Sequence, residues 1–393
     1  MGRVRRRGFL GSGAGAVLAG VWIAAGCSGS LAPVQPAAQV APASFALCQA
    51  AAGATLYDFG VQQGGPYNLV TANGNLYFAL GDGNSSTEAI MALPLSGGSP
   101  VTLAMAEGYQ LWLDGEAVDT AAVDDRLWQV PLGGGNSTLI ANGNTTGPPN
   151  YNVASARAFD GSNLYWDLSP QNGPPFWNLW QVPVGGVVAQ KLADLPFPAG
   201  PHVNWTMLGV SAYGVLVAYE NTPQVGAYLV PPGGGTPQVL PSPPPAGSEA
   251  DNELLGTSST AALWSSTGVD PATGGNVVTL RLTDVAAPGG PAVREFWPGH
   301  PANLTPYGVY SWSGGDDGSW LISAIEPFDD GGTHGTLWLV DADGNGTRIG
   351  CDPNSRDFPG SVSAALATPT AVYAVIGSST GGLYDYRIVQ LGR

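Results

Sequence analysis

The chain has 393 residues, of which 44% are hydrophobic and only 11% are charged, so it can bury one large core or two average ones. Its formal net charge is −16, and four of its 13 basic residues lie within the first seven positions. Without those four, 9 basic residues face 29 acidic ones, which is a net charge of −20. Such a surface repels phosphate backbones, and this excludes nucleic acids as partners.

The first 26 residues have the layout of an export signal peptide, with a basic start, a Gly- and Ala-rich apolar middle and small residues before Cys27. Arg6 and Arg7, followed by Gly-Phe-Leu, resemble the twin-arginine export motif. The residues that end at Cys27 (AAGC) resemble the lipobox at which bacterial lipoproteins are cut and acylated, with Ala24 where Leu is usual. The leader predicts a lipid-anchored protein of the bacterial cell envelope. Ordinary cleavage farther along and an uncleaved membrane anchor are the alternatives.

The remaining cysteines fit an exported protein. Residues 27–45 are predicted to be the lipidated Cys27 and a flexible Ala- and Pro-rich tether, and residues 46–393 the folded domain. Cys48 and Cys351 are then left as a disulfide pair in a compartment where disulfides persist. The bridge would close a loop of about 300 residues, which the chain-entropy relation values at about 5 kcal/mol. Two unrelated buried thiols are the alternative.

Turn residues and strand-like runs alternate along the rest of the chain. The 58 Gly and 34 Pro residues fall between aromatic and β-branched runs, which predicts many short strands. One recurring strand is aromatic or aliphatic, and its copies lie at 75–78, 163–166, 215–219, 262–264, 309–312 and 371–375. The strand that follows often ends in a Pro or Gly turn. Its equivalent positions, 37 to 57 residues apart, are predicted to be Leu93, Val130, Val182, Val230, Leu282, Leu339 and Val389.

A further short strand follows several of these turns, and the link between units has room for one more. Four antiparallel strands that recur at a period of about 50 residues predict a β-propeller. In that fold each sheet is buried against its neighbours. The predicted fold class is therefore all-β, a β-propeller of four-stranded antiparallel blades. Seven blades are predicted, with six or eight as alternatives.

One repeat carries a family likeness. Tyr165-Trp166-Asp167 matches part of a YWTD motif, and the paired strands read roughly LYW and LWxVPxGGG. On these residues, positions 55–393 resemble the bacterial extracytoplasmic β-propellers related to the YWTD, NHL and TolB-like groups. The resemblance implies an architecture and not an activity, because propellers serve as enzymes, receptors and scaffolds alike.

Several kinds of catalytic or cofactor site are excluded by the motifs. Lys191, the only lysine, lies outside any Gly-Lys-Ser/Thr motif, so no nucleotide partner is predicted. The three histidines have no zinc-ligand spacing. Ser379 lies in a Gly-x-Ser-x-Gly match, but a strand-like segment follows where a nucleophile elbow needs a helix. No catalytic residue is assigned.

Calcium is the one metal that the spacing of side-chain oxygens suggests. Asp341, Asp343, Asn345 and Asp352 follow the order of ligands in an EF-hand loop. The segment also stands where other repeats have a Pro- and Gly-rich turn, and its flank reads as a strand, so a hairpin is predicted and calcium is the alternative. No other cofactor is predicted.

Acidic pairs and aromatic residues in loops are the remaining candidates for function. The pairs lie at 124–125, at Asp316 and Asp317, and at 329–330, and Trp177 ends a loop specific to its repeat, 169–177. Carboxylates on one propeller face can act as general acid and base on a glycan. Exposed aromatic side chains suit binding of a sugar or a peptide. The predicted function is a non-catalytic binding or scaffold module for an envelope protein or glycan. An envelope glycoside hydrolase or lyase that uses acidic loop residues is the alternative.

Overall fold

The computed structural model shows a chain built almost wholly of β-strands. It describes residues 54–62, 64–81, 88–106, 110–114, 117–121, 126–142, 151–152, 157–170, 177–186, 188–196, 205–221, 224–240, 251–258, 260–269, 276–285, 292–297, 310–314, 318–327, 333–351, 362–380 and 383–392. Within these ranges no helix is long and apolar enough to cross a membrane.

The strands are numbered along the chain. The first fourteen are β1 Ala54–Gln62, β2 Pro66–Ala72, β3 Asn75–Leu80, β4 Glu88–Pro94, β5 Val101–Ala106, β6 Gln110–Asp114, β7 Ala117–Ala121, β8 Arg126–Pro131, β9 Thr138–Asn142, β10 Tyr151–Asn152, β11 Arg157–Phe159, β12 Asn163–Pro170, β13 Trp177–Pro183 and β14 Gln190–Leu195. The others are β15 Trp205–Ser211, β16 Gly214–Asn221, β17 Gln224–Val230, β18 Gln238–Leu240, β19 Asp251–Thr257, β20 Ala261–Val269, β21 Asn276–Asp284, β22 Ala292–Phe296, β23 Tyr310–Gly314, β24 Trp320–Pro327, β25 Thr333–Val340, β26 Gly346–Cys351, β27 Val362–Ala367, β28 Ala371–Thr380 and β29 Leu383–Gly392.

Consecutive strands pair into antiparallel sheets, of which the described residues form seven. Sheets 1 and 2 are β2–β5 and β6–β9; sheet 3 is β10–β14, in which β10 and β11 both pair with β12. Sheets 4, 5 and 6 are β15–β18, β19–β22 and β23–β26. Sheet 7 takes β27–β29 from the end of the chain and β1 from its start. The predicted four-stranded antiparallel unit is confirmed.

The sheets succeed one another around a ring. The first strands of neighbouring sheets contact each other at β2–β6, β11–β15, β15–β19, β19–β23, β23–β27 and β27–β2. Each hydrophobic cluster joins two neighbouring sheets, as when Tyr77 and Ile90 of sheet 1 pack with Leu111 and Val130 of sheet 2. The cluster of sheets 7 and 1 includes Ile388 and Leu76, so the last sheet packs on the first. Burial of both faces of every sheet is what the apolar alternation of these strands requires.

Two of the equivalent positions taken from the sequence are wrong by one residue. Val130 faces the preceding sheet, and in sheet 6 that place is taken by Val340, which packs with residues of sheet 5. Leu339 faces sheet 7 instead. In sheet 5 the equivalent residue is Thr283, not Leu282, because Thr283 accepts a hydrogen bond from Trp264 in the interface with sheet 4. A slip of one residue reverses the face of a strand, and neither sheet has the Pro that follows or ends the third strand in sheets 1–4.

The two ends of the ring differ in their connections. At the turn end lie the hairpins that join first to second strands and third to fourth strands, which are two to seven residues long. At the loop end lie the links from second to third strands and from each sheet to the next, which are two to thirteen residues long. Antiparallel pairing within each sheet puts each kind of connection at its own end.

In sheets 1–4 the hairpin between third and fourth strands is a Pro-x-x-Gly turn. The N–H of Gly134 donates to the carbonyl of Pro131 at 2.9 Å, and that of Gly234 to the carbonyl of Pro231 at 2.8 Å. The next N–H in each turn reaches the neighbouring sheet, since Gly135 donates to Leu103 and Gly235 donates to Leu192, both at 3.3 Å. The Gly-rich turns that mark the repeat in the sequence are therefore contacts between sheets as well as hairpins.

The seam of the ring is a strand pairing that the sequence did not reveal. β1 pairs with β29 along its whole length, from Ala54 opposite Gln390 to Gln62 opposite Tyr384. The predicted disulfide stays a prediction, because Cys48 lies outside the described residues and Cys351 is described only as the last residue of β26. The same holds for the export motif Arg6 and Arg7 and for the lipidation site Cys27, which also lie outside the described residues.

Candidate functional site

The loop end of sheet 1 carries a buried carboxyl group. Glu88 begins β4 there, opposite Ala106 of β5, and its side chain is only 7% exposed. Along β4 it lies on the same face as Ile90 and Ala92, which pack against sheet 2. An acidic side chain therefore points into an interface that is otherwise lined by apolar residues.

The backbone makes room for this carboxyl at Gly81. A Cβ at Gly81 would lie 2.9 Å from Oε1 of Glu88 and 3.3 Å from Cε1 of Tyr67. Oε2 of Glu88 has no hydrogen-bond partner among the described residues. Burial raises the pKa of Glu88 from its ordinary value of 4.5 to about 7, because an apolar environment disfavours the charged form. A carboxyl with a pKa near neutral is suited to hold or release a proton there.

Trp177, the predicted binding-loop residue, begins β13 at the same end of sheet 3. It is half-buried and packs against the hydrophobic cluster between sheets 3 and 4. The structure thus gives its ring a packing role. The loop before it, residues 171–176, lies outside the described residues.

The strands that flank the three acidic pairs end at different ends of the ring. Asp316 and Asp317 lie outside the described residues, between Gly314 of β23 and Trp320 of β24, and these flanking strand ends are at the turn end. The pairs at 124–125 and 329–330 also lie outside the described residues, and the strand ends that flank them are at the loop end. The strand ends that flank the three pairs therefore lie at both ends of the ring.

The segment with calcium-like spacing is the hairpin between β25 and β26. Oδ1 of Asp341 accepts hydrogen bonds from the N–H groups of Asp343, at 3.0 Å, and Asn345, at 2.8 Å, and Oδ2 accepts one from Nδ2 of Asn345 at 3.0 Å. The side-chain and backbone hydrogen bonds from Asn345 lower the pKa of Asp341. This geometry is that of a capped turn. Asp352 lies outside the described residues, and calcium binding stays the alternative to a plain hairpin.

The sequence reasoning missed a second set of capped turns, between first and second strands. Oδ1 of Asp160 accepts hydrogen bonds from the N–H groups of Ser162 and Asn163, and its Oδ2 accepts one from the Tyr165 hydroxyl at 2.7 Å. Oγ of Ser258 and Oγ1 of Thr368 accept N–H donors in the same place in sheets 5 and 7. The sequence carries a signal for these turns, because a short polar side chain three residues before a strand can accept the N–H groups of the turn between them.

Ring closure, four-stranded sheets and clusters between neighbouring sheets define the class: the chain is a β-propeller protein. No family model and no curated protein matches its sequence. Among the described residues, no group of three or more His, Cys, Asp or Glu could hold a metal ion.

Solved β-propellers match nearly the whole chain at low identity. An oligogalacturonate lyase in complex with manganese is 12% identical with a TM-score of 0.56, over 86% of this chain and 99% of that chain. An oligogalacturonate lyase from Vibrio parahaemolyticus is 13% identical with a TM-score of 0.58, over 84% and 90%. YCF48 from Cyanidioschyzon merolae is 10% identical with a TM-score of 0.50, over 87% and 99%. These similarities show the fold alone, and they agree with the resemblance to TolB-like propellers.

Proposed function

We propose that this protein is a lipid-anchored protein of the bacterial cell envelope and that its propeller is a non-catalytic binding or scaffold module for a protein or a glycan. The observation that carries the proposal is the contrast between the two ends of the ring. Loop-end links range from two to thirteen residues, whereas the turn end keeps short and regular hairpins. Variable connections on a rigid scaffold are where binding sites are built.

The leader supports the anchored location. Its basic start, its weakly apolar middle and the small residues before Cys27 are the features that direct export and acylation. Mass spectrometry of the mature N-terminus tests this part directly. An acylated Cys27 is expected, and an unmodified N-terminus farther along the chain would contradict the anchor.

A binding experiment tests the module itself. The intact protein is used to capture partners from solubilised envelope membranes, in parallel with a glycan and peptide array. The test variant shortens residues 171–176 to the two-residue length found between β16 and β17, and the control shortens residues 241–250 by the same number. Loss of one partner by the test variant and its retention by the control are expected. A partner retained at full strength by both would mean that neither connection carries the site.

A second function is favoured by one observation, the pKa of Glu88 near 7 at the loop end. A carboxyl with such a pKa can act as a general acid at neutral pH, as catalysis on a glycan requires. The alternative is therefore an envelope glycoside hydrolase or lyase, and two of the similar propellers are oligogalacturonate lyases. A panel of chromogenic glycosides and oligogalacturonate tests it. If the parent protein turns over a substrate and a folded Glu88→Gln variant does not, the function is that of an enzyme and not of a binding module.

A further inference from the structure

Exposed apolar side chains are concentrated at one end and on one side of the ring. Of the nine large hydrophobic residues exposed among the described residues, seven lie at the turn end of sheets 1–4. They are 38% to 68% exposed, and they are Val101, Leu113, Leu139, Val184, Val188, Tyr213 and Val239. The other two, Val61 and Met105, lie toward the loop end. Scattered single apolar residues are ordinary, but this bias to four neighbouring sheets is not.

In these four sheets the hairpins between third and fourth strands carry no charged residue. We call the hairpins between the third and fourth strands of sheets 1–4 the rim arc, which comprises residues 94–101, 131–139, 183–190 and 231–239. These segments contain no Asp, Glu, Lys or Arg, in a chain with a net charge of −16. The corresponding hairpins of sheets 5 and 6 carry Asp284 and Asp341. The rim arc is therefore the part of the turn end whose desolvation costs the least free energy.

Contacts between neighbouring sheets hold the hairpins of the rim arc in order. Gly135 donates to Leu103 of sheet 1, Gly185 to Ile140 of sheet 2 at 2.6 Å, and Gly235 to Leu192 of sheet 3. The turns of sheets 2, 3 and 4 are thus each fixed to the fourth strand of the sheet before it. The exposed valines and leucine of these segments are presented by a continuous framework rather than by separate loops.

The chain enters the ring at this end. β1 begins at Ala54, opposite Gln390, at the turn end of sheet 7, which packs on sheet 1. The predicted tether, residues 27–45, ends nine residues before Ala54. A flexible chain of 19 residues spans roughly 25 Å on average, at about 5–6 Å times the square root of its length. The first described residue of the chain therefore lies at the same end of the ring as the rim arc.

From these observations we infer that the rim arc is the surface by which the anchored protein lies on its own membrane, with the loop end facing away. The inference rests on the lipid anchor of the proposed function. The occupant is the bilayer surface, chosen because the tether begins at the same end and because the arc is uncharged where the rest of the molecule is acidic. A tether supplies an effective concentration of about a millimolar, so weak apolar contacts suffice to hold one orientation.

Oxidative footprinting of the full-length protein on phosphatidylcholine vesicles tests the orientation. Hydroxyl radicals label exposed side chains, and mass spectrometry reads the labelling of Leu139 and Val239 in the rim arc, and of Tyr213 at the same end of sheet 4, against that of Met105 at the loop end. We expect at least threefold protection of the first three residues in the anchored protein and none at Met105, as sites in contact with lipid lose access to water. A Val184→Asp, Val239→Asp variant should lose the protection, and the control Val61→Asp, at the loop end, should keep it.

The possible outcomes distinguish a wrong orientation on the membrane from the absence of a lipid anchor. An acylated protein in which the rim arc stays fully labelled, or in which Met105 is protected instead, overturns the orientation and leaves the anchor intact. An N-terminus without acylation overturns both. Protection that appears without vesicles and grows with the concentration of a Cys27→Ser variant identifies a second copy as the occupant, which also overturns the inference.

Discussion

Glu88 makes the stability of the ring depend on pH. Its pKa is about 7 in the folded protein against an ordinary 4.5, because burial disfavours the carboxylate. The folded state thus holds this proton more tightly than the unfolded state. The resulting stabilisation is fully present below pH 4.5 and is lost as the pH rises through 7. The shift corresponds to about 3 kcal/mol at most.

A neutral side chain at this position should remove that dependence. We expect Glu88→Gln to be more stable than the parent protein by about 1–3 kcal/mol near pH 8.5 and equal to it near pH 4.5, as measured by urea unfolding at both values. The control is Glu295→Gln, an exposed residue of β22 whose replacement removes the same charge. An equal gain for both variants at high pH would assign the effect to general charge repulsion.

The position of Glu88 could not be read from the sequence. It stands at the start of a strand that reads EAIMALP, where a glutamate is indistinguishable from a solvated residue at a strand end. Its burial is decided by the packing of sheet 1 on sheet 2, which no local pattern reports. Asp341, by contrast, was predicted as a hairpin residue from its resemblance to the other turns, and the structure shows that hairpin.

At the scale of elements, the Gly-rich turn of sheet 4 packs on sheet 3 so closely that it should tolerate no side chain at Gly234. Gly234 has φ of +80°, and a Cβ there would lie 2.6 Å from the carbonyl oxygen of Leu192. We expect Gly234→Ala to lower the free energy of unfolding by about 2–3 kcal/mol, because it combines backbone strain with a contact that neither chain segment can relieve. Thermal and urea unfolding measure the loss.

The adjacent glycine is a matched control. A Cβ at Gly233 would meet nothing within 4 Å, and its φ is not in the left-handed region. Gly233→Ala should therefore be neutral or stabilising by about 0.5 kcal/mol, since it restricts only the unfolded chain. Equal losses at both positions would mean that the turn needs glycine for its own conformation and not for the approach of sheet 3.

The repeat predicted second, third and fourth strands better than first strands. Aromatic and aliphatic runs ending in Pro and Gly located β3, β4, β12 and β13 because apolar alternation and turn chemistry coincide there. The segment 309–312 was assigned to the second-strand position, whereas the structure has Tyr310–Gly314 as the first strand of sheet 6, before β24. First strands lie innermost. None of them is followed by the Pro-x-x-Gly turn that identifies the third strands of sheets 1–4.

The whole ring depends on a seam made by two distant parts of the chain. β1 pairs with β29, and Phe59 of β1 stacks edge-on with Phe78 of sheet 1 at 5.7 Å between ring centroids. Phe59 therefore ties sheet 7 to sheet 1 across the point where the chain starts and ends. A propeller is a closed ring, so the sequence predicted that the first and last repeats are neighbours. The strand β1 was not predicted, because its sequence does not match the repeat.

Weakening this seam should open the ring locally before it unfolds. We expect Phe59→Ala to lower the free energy of unfolding by about 2–3 kcal/mol, less than for a fully buried Phe because the side chain is only half-buried. Hydrogen exchange should quicken first in β29 and β1, while the strands of sheets 3 and 4 keep their protection, since each interior sheet still packs on two neighbours. Val61→Ala, at an exposed residue of the same strand, should change neither measurement. Exchange that quickens equally in all sheets of the Phe59 variant would show that the ring unfolds as one unit and that the seam is no weaker than any other interface.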